Sequence, residues 1–251
     1  MAPKRALVRE PGDGYHGCIS SHPLHHTVDT VRARAQHVKY CETLSELGLE
    51  VIHVPRDDVR PDSCFIEDNA VVYGSRALIC RMAMESRRGE QPSVEAVLKD
   101  YMPVRWATAP ATVEGGDVVH LHDRLISGVT QRTNIEGVAQ MRDWLRVRVD
   151  TVTDPNIVHL KSYITSLGRG NVIVTREYAD HPALEGLDAL IVPQGEEYAA
   201  DTLTVGETTL IPEGNPGTLN ILTEAGYEVI PMDVSEFEKC EGALTCLSII
   251  F

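Results

Sequence analysis

The stretches EDNAVVYGSRALICRMAMESRRGE, starting at Glu67, and GGDVVHLHDRLISGVTQRTNIEG, starting at Gly115, follow one grammar. An acidic or small polar residue leads into an apolar strand, a tight turn, a second strand and a polar loop that opens a helix. GRGNVIVTREYADHP and AADTLTVGETTLIPEGNPGT read as later, degenerate copies, and RALVREPG as a less regular N-terminal one. Asp68 and Asp117 open corresponding units 117 − 68 = 49 residues apart, so the 251-residue chain has room for about five. Units of that size leave no span for a linker. Residues 1–251 are expected to form a single α/β domain, a five-bladed α/β-propeller of ββα-type repeats, with an ordinary doubly wound sheet as the alternative. Closure would bring residues from different units to one central pocket.

Local spacing adds detail. Val31, Ala35, Val38, Cys41 and Leu44 recur at helical intervals ahead of Gly48, which predicts an amphipathic helix with these residues on its apolar face. Ile135, Val138, Met141 and Leu145 do the same after Thr133 and Glu136, spaced as a capping box. The terminal ALTCLSIIF reads as a buried strand with Leu244, Cys246, Ser248 and Ile250 on one face.

Charge limits the partners. With 23 basic and 37 acidic residues the net charge is 23 − 37 = −14. An acidic chain suits neither nucleic acid nor an anionic membrane and favours a small cationic substrate. The N-terminus lacks the apolar run of a signal peptide, and no stretch approaches the roughly 20 apolar residues of a membrane span. Cys18, Cys41, Cys64, Cys80, Cys240 and Cys246 are scattered without a CxxC pair, so free thiols in a reducing, cytoplasmic compartment are expected. A homodimer is compatible with the sequence but not dictated by it.

Chemistry concentrates in a few places. RPDSCFIEDNAVV carries Asp62, Glu67 and Asp68 into a strand start, where desolvated carboxylates would repel unless a metal or a guanidinium neutralised them. In TVEGGDVVHL, Glu114 precedes two glycines that permit close backbone approach, and it is placed to orient a histidine. His159 interrupts the apolar run VHLKSYI. A core histidine bonded to a carbonyl would explain it alone. Cys246, His159 and a carboxylate together are the set that thiol nucleophilic catalysis needs. Arg87 in ESRRGE and Arg132 in VTQRTN each follow a second strand and open a helix, so both could grip one substrate carboxylate.

These stretches, with PDSCFIED, TVEGGD, QRTN, HLKS and SEFEKCEGALTCLSI in that order, resemble the dimethylarginine dimethylaminohydrolases of the guanidine-modifying superfamily. The resemblance implies the five-bladed pentein fold. It matches Cys246 to a nucleophile, His159 to the acid/base and Glu114 to its orienting carboxylate. Asp62, Glu67 and Asp68 match guanidinium-pocket carboxylates, with Phe65 the aromatic of that motif. Arg87 and Arg132 match the clamp on the substrate α-carboxylate, and backbone carbonyls near Cys18 and Cys240 match groups holding the α-amino end. The implied reaction is hydrolysis of N-omega-methylated arginine to citrulline and an amine through an S-alkylthiouronium intermediate, without metal or other cofactor. An arginine deiminase or a hydrolase of another guanidine would use the same chemistry. The chain departs from the resemblance in the histidine-rich loop around Cys18, in RMAMESRR, and at Asp201, where relatives often have Asn; all three are expected near substrate entry.

Two other classes compete. His120, His122 and Asp123 in HLHD could ligate a hydrolytic metal. A propeller can also serve as a non-catalytic binder, as in ribosome anti-association factors, but such a protein needs no Cys–His–Glu set.

Overall fold

The computed structural model describes residues 5–251. The apolar runs expected as hairpins form five three-stranded sheets of one connectivity. In the second unit, Ala70–Tyr73 pairs antiparallel with Arg76–Ile79, helix Gln91–Leu98 crosses over, and Val104–Trp106 returns parallel to the middle strand. Val118–His120, Arg124–Val129, helix Ile135–Leu145 and Arg148–Thr153 repeat this in the third unit. The fourth unit has Ile164–Gly168, Asn171–Val174 and Asp188–Ile191, with short 3-10 turns replacing the crossover helix. Leu203–Val205, Thr208–Pro212, helix Pro216–Glu224 and Glu228–Met232 make the fifth. A third, parallel strand thus closes each repeat, giving ββαβ rather than the expected ββα wherever the crossover is helical.

The irregularity of the N-terminal copy has a simple cause. Arg5–Val8, helix Thr30–Glu46 and Glu50–His53 lack a leading strand, and Ser248–Ile250 from the C-terminus supplies it antiparallel to Arg5–Val8. The expected long terminal strand is thus shorter. Thr245–Leu247 forms a 3-10 turn, and Cys246 sits on that turn rather than in the strand.

Strand alternation sends neighbouring residues of each middle strand into different cores. Ala6 and Val8 join Val205, Leu210 and Met232, whereas Leu7 joins Ile66, Ala70 and Ile79. Leu78 packs with Val118 and Leu125, while Ile126 packs with Ile164 and Val172. Ile173 in turn packs with Ile211 and Leu222. The five apolar clusters lie at five joints: first with second unit, second with third, third with fourth, fourth with fifth, and fifth with first.

Helix Thr30–Glu46 forms as expected, but on another face. Val31 and Val38 are 76% and 52% exposed, while Ala33, His37, Tyr40, Cys41 and Leu44 are buried. Polar tips account for the difference: Tyr40 donates to the Leu244 carbonyl, and Gln36 Nε2 to Ser235 Oγ, so both bury without losing hydrogen bonds. In the helix Ile135–Leu145 the cap is Asn134, whose side chain accepts from the Gly137 amide, not Thr133. Ile135 is exposed there, whereas Val138, Met141 and Leu145 are buried.

The cysteine reading is corrected at one pair. Cys18 and Cys240 form a disulfide across 222 residues, and Cys41, Cys64, Cys80 and Cys246 are free. The inference from six free thiols to a reducing compartment therefore loses its premise. No helix among the described residues is long and apolar enough to cross a membrane.

Candidate active site

The acidic residue that opens a unit has a structural task. Asp68 Oδ1 accepts the Gly116 amide at 2.9 Å, Asp117 Oδ1 the Leu160 amide at 3.0 Å, and Asp201 Oδ1 the Thr245 amide at 3.0 Å. In the fourth unit Thr165 Oγ1 plays this part toward the Thr202 amide at 3.3 Å. Each bond fastens one unit to the equivalent turn of the next. Turns 66–69, 115–117, 160–162 and 245–247 are thereby set side by side, and Phe65, Glu67, Asp68, Glu114, His159 and Cys246 lie on or just before them.

Cys246, His159, Asp62, Phe65, Asp68, Arg87, Arg132 and Cys240 line one cavity of about 890 Å³. Glu114 is buried beneath it, its Oε2 bonded to His159 Nε2 at 2.9 Å. Its other oxygen accepts the Ala83 amide, and Thr133 Oγ1 receives the Glu114 amide, so the carboxylate is held from both sides. Gly116 allows the imidazole to sit close: a Cβ there would lie 2.8 Å from His159 Cγ and 2.9 Å from Asp68 Oδ1.

Charge makes this imidazole an acid. Burial alone would lower the His159 pKa, but Asp68, the Glu114 hydrogen bond and Asp117 outweigh it and raise it to about 9. Asp68 pays for burial too, yet His159 and Arg87 hold it down to about 2. The Cys246 thiol is pushed well above its ordinary value, first by burial and then by Asp201, Glu67 and Asp68. Burial lifts Asp62 to about 6 against the pull of Arg87. An incoming cation would relieve this crowding of acids and favour the thiolate.

The two arginines differ, although the sequence places them alike. Arg87 is buried and already engaged: it donates to Asp68 at 2.6 Å, to both oxygens of Glu90, and to the carbonyls of Asp62 and Phe65. Arg132 lines the same cavity with no ion pair among the described residues, and its buried Nε has no hydrogen-bond partner.

Glu67 departs further from expectation. It pairs with Lys161 and lines a second cavity of about 350 Å³ with Thr245 and Ser248, although its charge still acts on Cys246. Cys18 does not line the main cavity; Ile19 does, and its amide donates to Asp62 Oδ1 at 3.1 Å. Asp201 braces the nucleophile turn through the Thr245 amide and hydroxyl as well as lining the cavity. Lys161 and Glu90 were not singled out from sequence, and Thr133 was read only as a helix cap. A lysine inside an apolar run was the legible signal for Lys161; nothing local marked the others.

The residues of HLHD do not converge. His120 is bonded to the Val72 carbonyl, while His122 and Asp123 lie in an exposed turn where Asp123 pairs with Arg124. The potential metal-ligand trio among the described residues is instead Asp68, Glu114 and His159, in which Asp68 pairs with Arg87 and Glu114 with His159.

Residues 20–212 match the family model described as N,N dimethylarginine dimethylhydrolase, eukaryotic. The chain belongs to the dimethylarginine dimethylaminohydrolase family. A dimethylarginine dimethylaminohydrolase from Streptomyces coelicolor is 37% identical over 99% of this chain and 97% of its own. The Pseudomonas aeruginosa enzyme, solved as a cysteine-to-serine variant with citrulline, superposes with a TM-score of 0.96 at 30% identity, covering all of both chains. A histidine-to-glycine variant of a dimethylarginine dimethylaminohydrolase, an adduct with S-methyl-L-thiocitrulline, superposes at 0.95 with 31% identity over 99% of this chain and 100% of that one. Family members are hydrolases of a guanidino C–N bond, so the non-catalytic binder is set aside.

Proposed function

We propose that this chain hydrolyses N-omega-methylated arginine to citrulline and methylamine or dimethylamine, with Cys246 as nucleophile. The observation that carries this reading is the buried Glu114–His159 pair, 2.9 Å apart, beneath a cavity shared with Cys246. Asp62 and Asp68 offer carboxylates to a guanidinium, Phe65 an apolar wall, and Arg132 an unpaired cation for the substrate carboxylate. The citrulline bound to the Pseudomonas aeruginosa relative supports the same substrate class.

The chemistry follows from the charges. A bound guanidinium favours loss of the Cys246 proton to solvent, and the thiolate attacks the central guanidinium carbon. As the C–N bond breaks, His159 gives its proton to the departing amine, leaving an S-alkylthiouronium on Cys246. Neutral His159 then takes a proton from water; the oxygen attacks the same carbon, the C–S bond breaks, and citrulline leaves. Glu114 stabilises the charged imidazole and fixes its orientation. No step calls on a metal or cofactor.

The fold is part of the reading. Five clusters joining consecutive units, the last joining fifth to first, support closure of all five sheets into one single-domain propeller. The test is a panel of arginine, its mono- and dimethyl derivatives and agmatine, with citrulline and released amine measured. Methylated arginines should be preferred. Faster release of ammonia from arginine would move the reading to a deiminase, and no turnover of any guanidine would refute it.

A further inference from the structure

Two chain segments that line the cavity are Ile19 to His22 and Cys240 to Gly242. They are tied by bonds of unequal resistance to water. Ser20 Oγ donates to the Lys239 carbonyl at 3.0 Å, and the Ser21 amide and hydroxyl donate to Glu241 at 2.9 and 2.7 Å. The Ser21–Glu241 bonds are exposed, where water competes and each contributes little. The Cys18–Cys240 disulfide is the tie that water cannot replace, and both its cysteines are buried. Glu241, next to Cys240, holds φ at +57°, a left-handed conformation that a glutamate adopts only when its surroundings hold it there. The carbonyl of Cys240, which lines the cavity, accepts no hydrogen bond from another described residue. Glu197, Glu238 and Glu241 line the same cavity. An ammonium group suits a free carbonyl among acids.

We propose that the Cys18–Cys240 disulfide is a positioning crosslink, holding the Cys240 carbonyl in register with the Ile19 segment for the substrate's α-amino group and making affinity for that end redox-dependent. This rests on the proposed methylarginine hydrolysis. Reduction by a dithiol balances without another reagent. One thiolate of the reductant attacks a protein sulfur, the Cys18–Cys240 bond breaks and a mixed disulfide forms. The second thiol of the reductant then closes its own disulfide, leaving two cysteine thiols and transferring two electrons and two protons. The segments then keep the polar ties, the Ile19–Asp62 hydrogen bond and the apolar cluster shared with Tyr15 and Phe237, but no covalent link.

The experiment begins with oxidised, denatured protein, in which alkylation should count four thiols; a count of six overturns the proposal. Calorimetric Kd values are then measured in the Cys246→Ser background, where turnover does not intervene, with and without Cys18→Ser and Cys240→Ser. The ligands are monomethylarginine and its analogue lacking only the α-amino group. Loss of the crosslink should weaken methylarginine at least about tenfold, the scale of one charged hydrogen bond, and leave the analogue within about twofold. Treating the disulfide-intact protein with a small dithiol should reproduce the change. Equal weakening of both ligands, or a lower thermal midpoint with both affinities unmoved, reduces the disulfide to a staple and overturns the proposal. Failure of methylarginine to bind the disulfide-intact protein would instead remove the substrate assignment, and this proposal with it.

Discussion

Replacing Glu114 by Gln removes a charge while keeping the shape, which tests how the imidazole is held protonated. The His159 midpoint of about 9, against an ordinary 6.5, corresponds to about 3 kcal/mol favouring the charged ring. A hydrogen bond involving a charged partner is worth about 1.5–3 kcal/mol, so losing the carboxylate should lower the midpoint by about 1–2 pH units. At pH 8 the protonated fraction would fall from roughly nine-tenths to about a quarter for a shift of about 1.5 units. Gln also has one carbonyl oxygen where Glu114 uses two, on His159 and on the Ala83 amide, so one contact is surrendered. Imidazole proton resonances followed from pH 5 to 11 give the midpoint directly. Stability provides a second readout. Because the folded value is raised, the His159 contribution is complete below about 6.5 and is lost as pH rises through about 9. Denaturant midpoints should therefore fall across that window in the parent and fall less in the variant. An unchanged imidazole midpoint in Glu114→Gln would show that Asp68 and Asp117 hold the proton and that Glu114 has no electrostatic role.

Cys246→Ser should abolish turnover while leaving the unfolding free energy within about 0.5 kcal/mol of the parent, since the residue is only partly buried; measurable steady-state citrulline production would remove the nucleophile assignment. Arg132→Ala should raise KM for methylarginine about 10- to 150-fold with the fold intact, whereas Arg87→Ala should cost about 3–5 kcal/mol in urea unfolding by stranding Asp68 and Glu90. Equal stability of the two variants contradicts the distinction drawn between these arginines. Gly116→Ala should lower kcat at least about tenfold because a methyl group cannot share space with the His159 ring; unchanged kcat with an unchanged circular dichroism spectrum would show that the ring has room to move.

Much of the architecture was legible because it is local. Each hairpin is an apolar run with its own turn, and Gly74 and Gly206, at φ +59° and +64°, stand where two such turns need a left-handed residue. The same locality explains the misread face of helix Thr30–Glu46. Spacing identifies a helix, but which stripe is buried depends on partners such as Ser235 and Leu244, about 200 residues away, that satisfy Gln36 and Tyr40. The candidate catalytic residues were legible as chemical types in an ordered set of motifs.

What the amino-acid order determined by itself was the repeat, the strand and helix content, the acid-rich character that suits a cation, and the family resemblance. Tertiary structure decided which equivalent residues do different work. Arg87 and Arg132 occupy the same place in their units and line the same cavity, yet only Arg87 meets Asp68 and Glu90, so one guanidinium is engaged internally and the other has no ion pair among the described residues. Cys18 and Cys240 looked like the other scattered cysteines until the fold brought them together, and the missing strand of the first unit came from the far end of the chain. The physical reason is common to all three. Backbone propensity and turn chemistry act over a few residues, whereas pairing of charges, thiols and strand edges depends on distances that exist only after the chain has closed on itself.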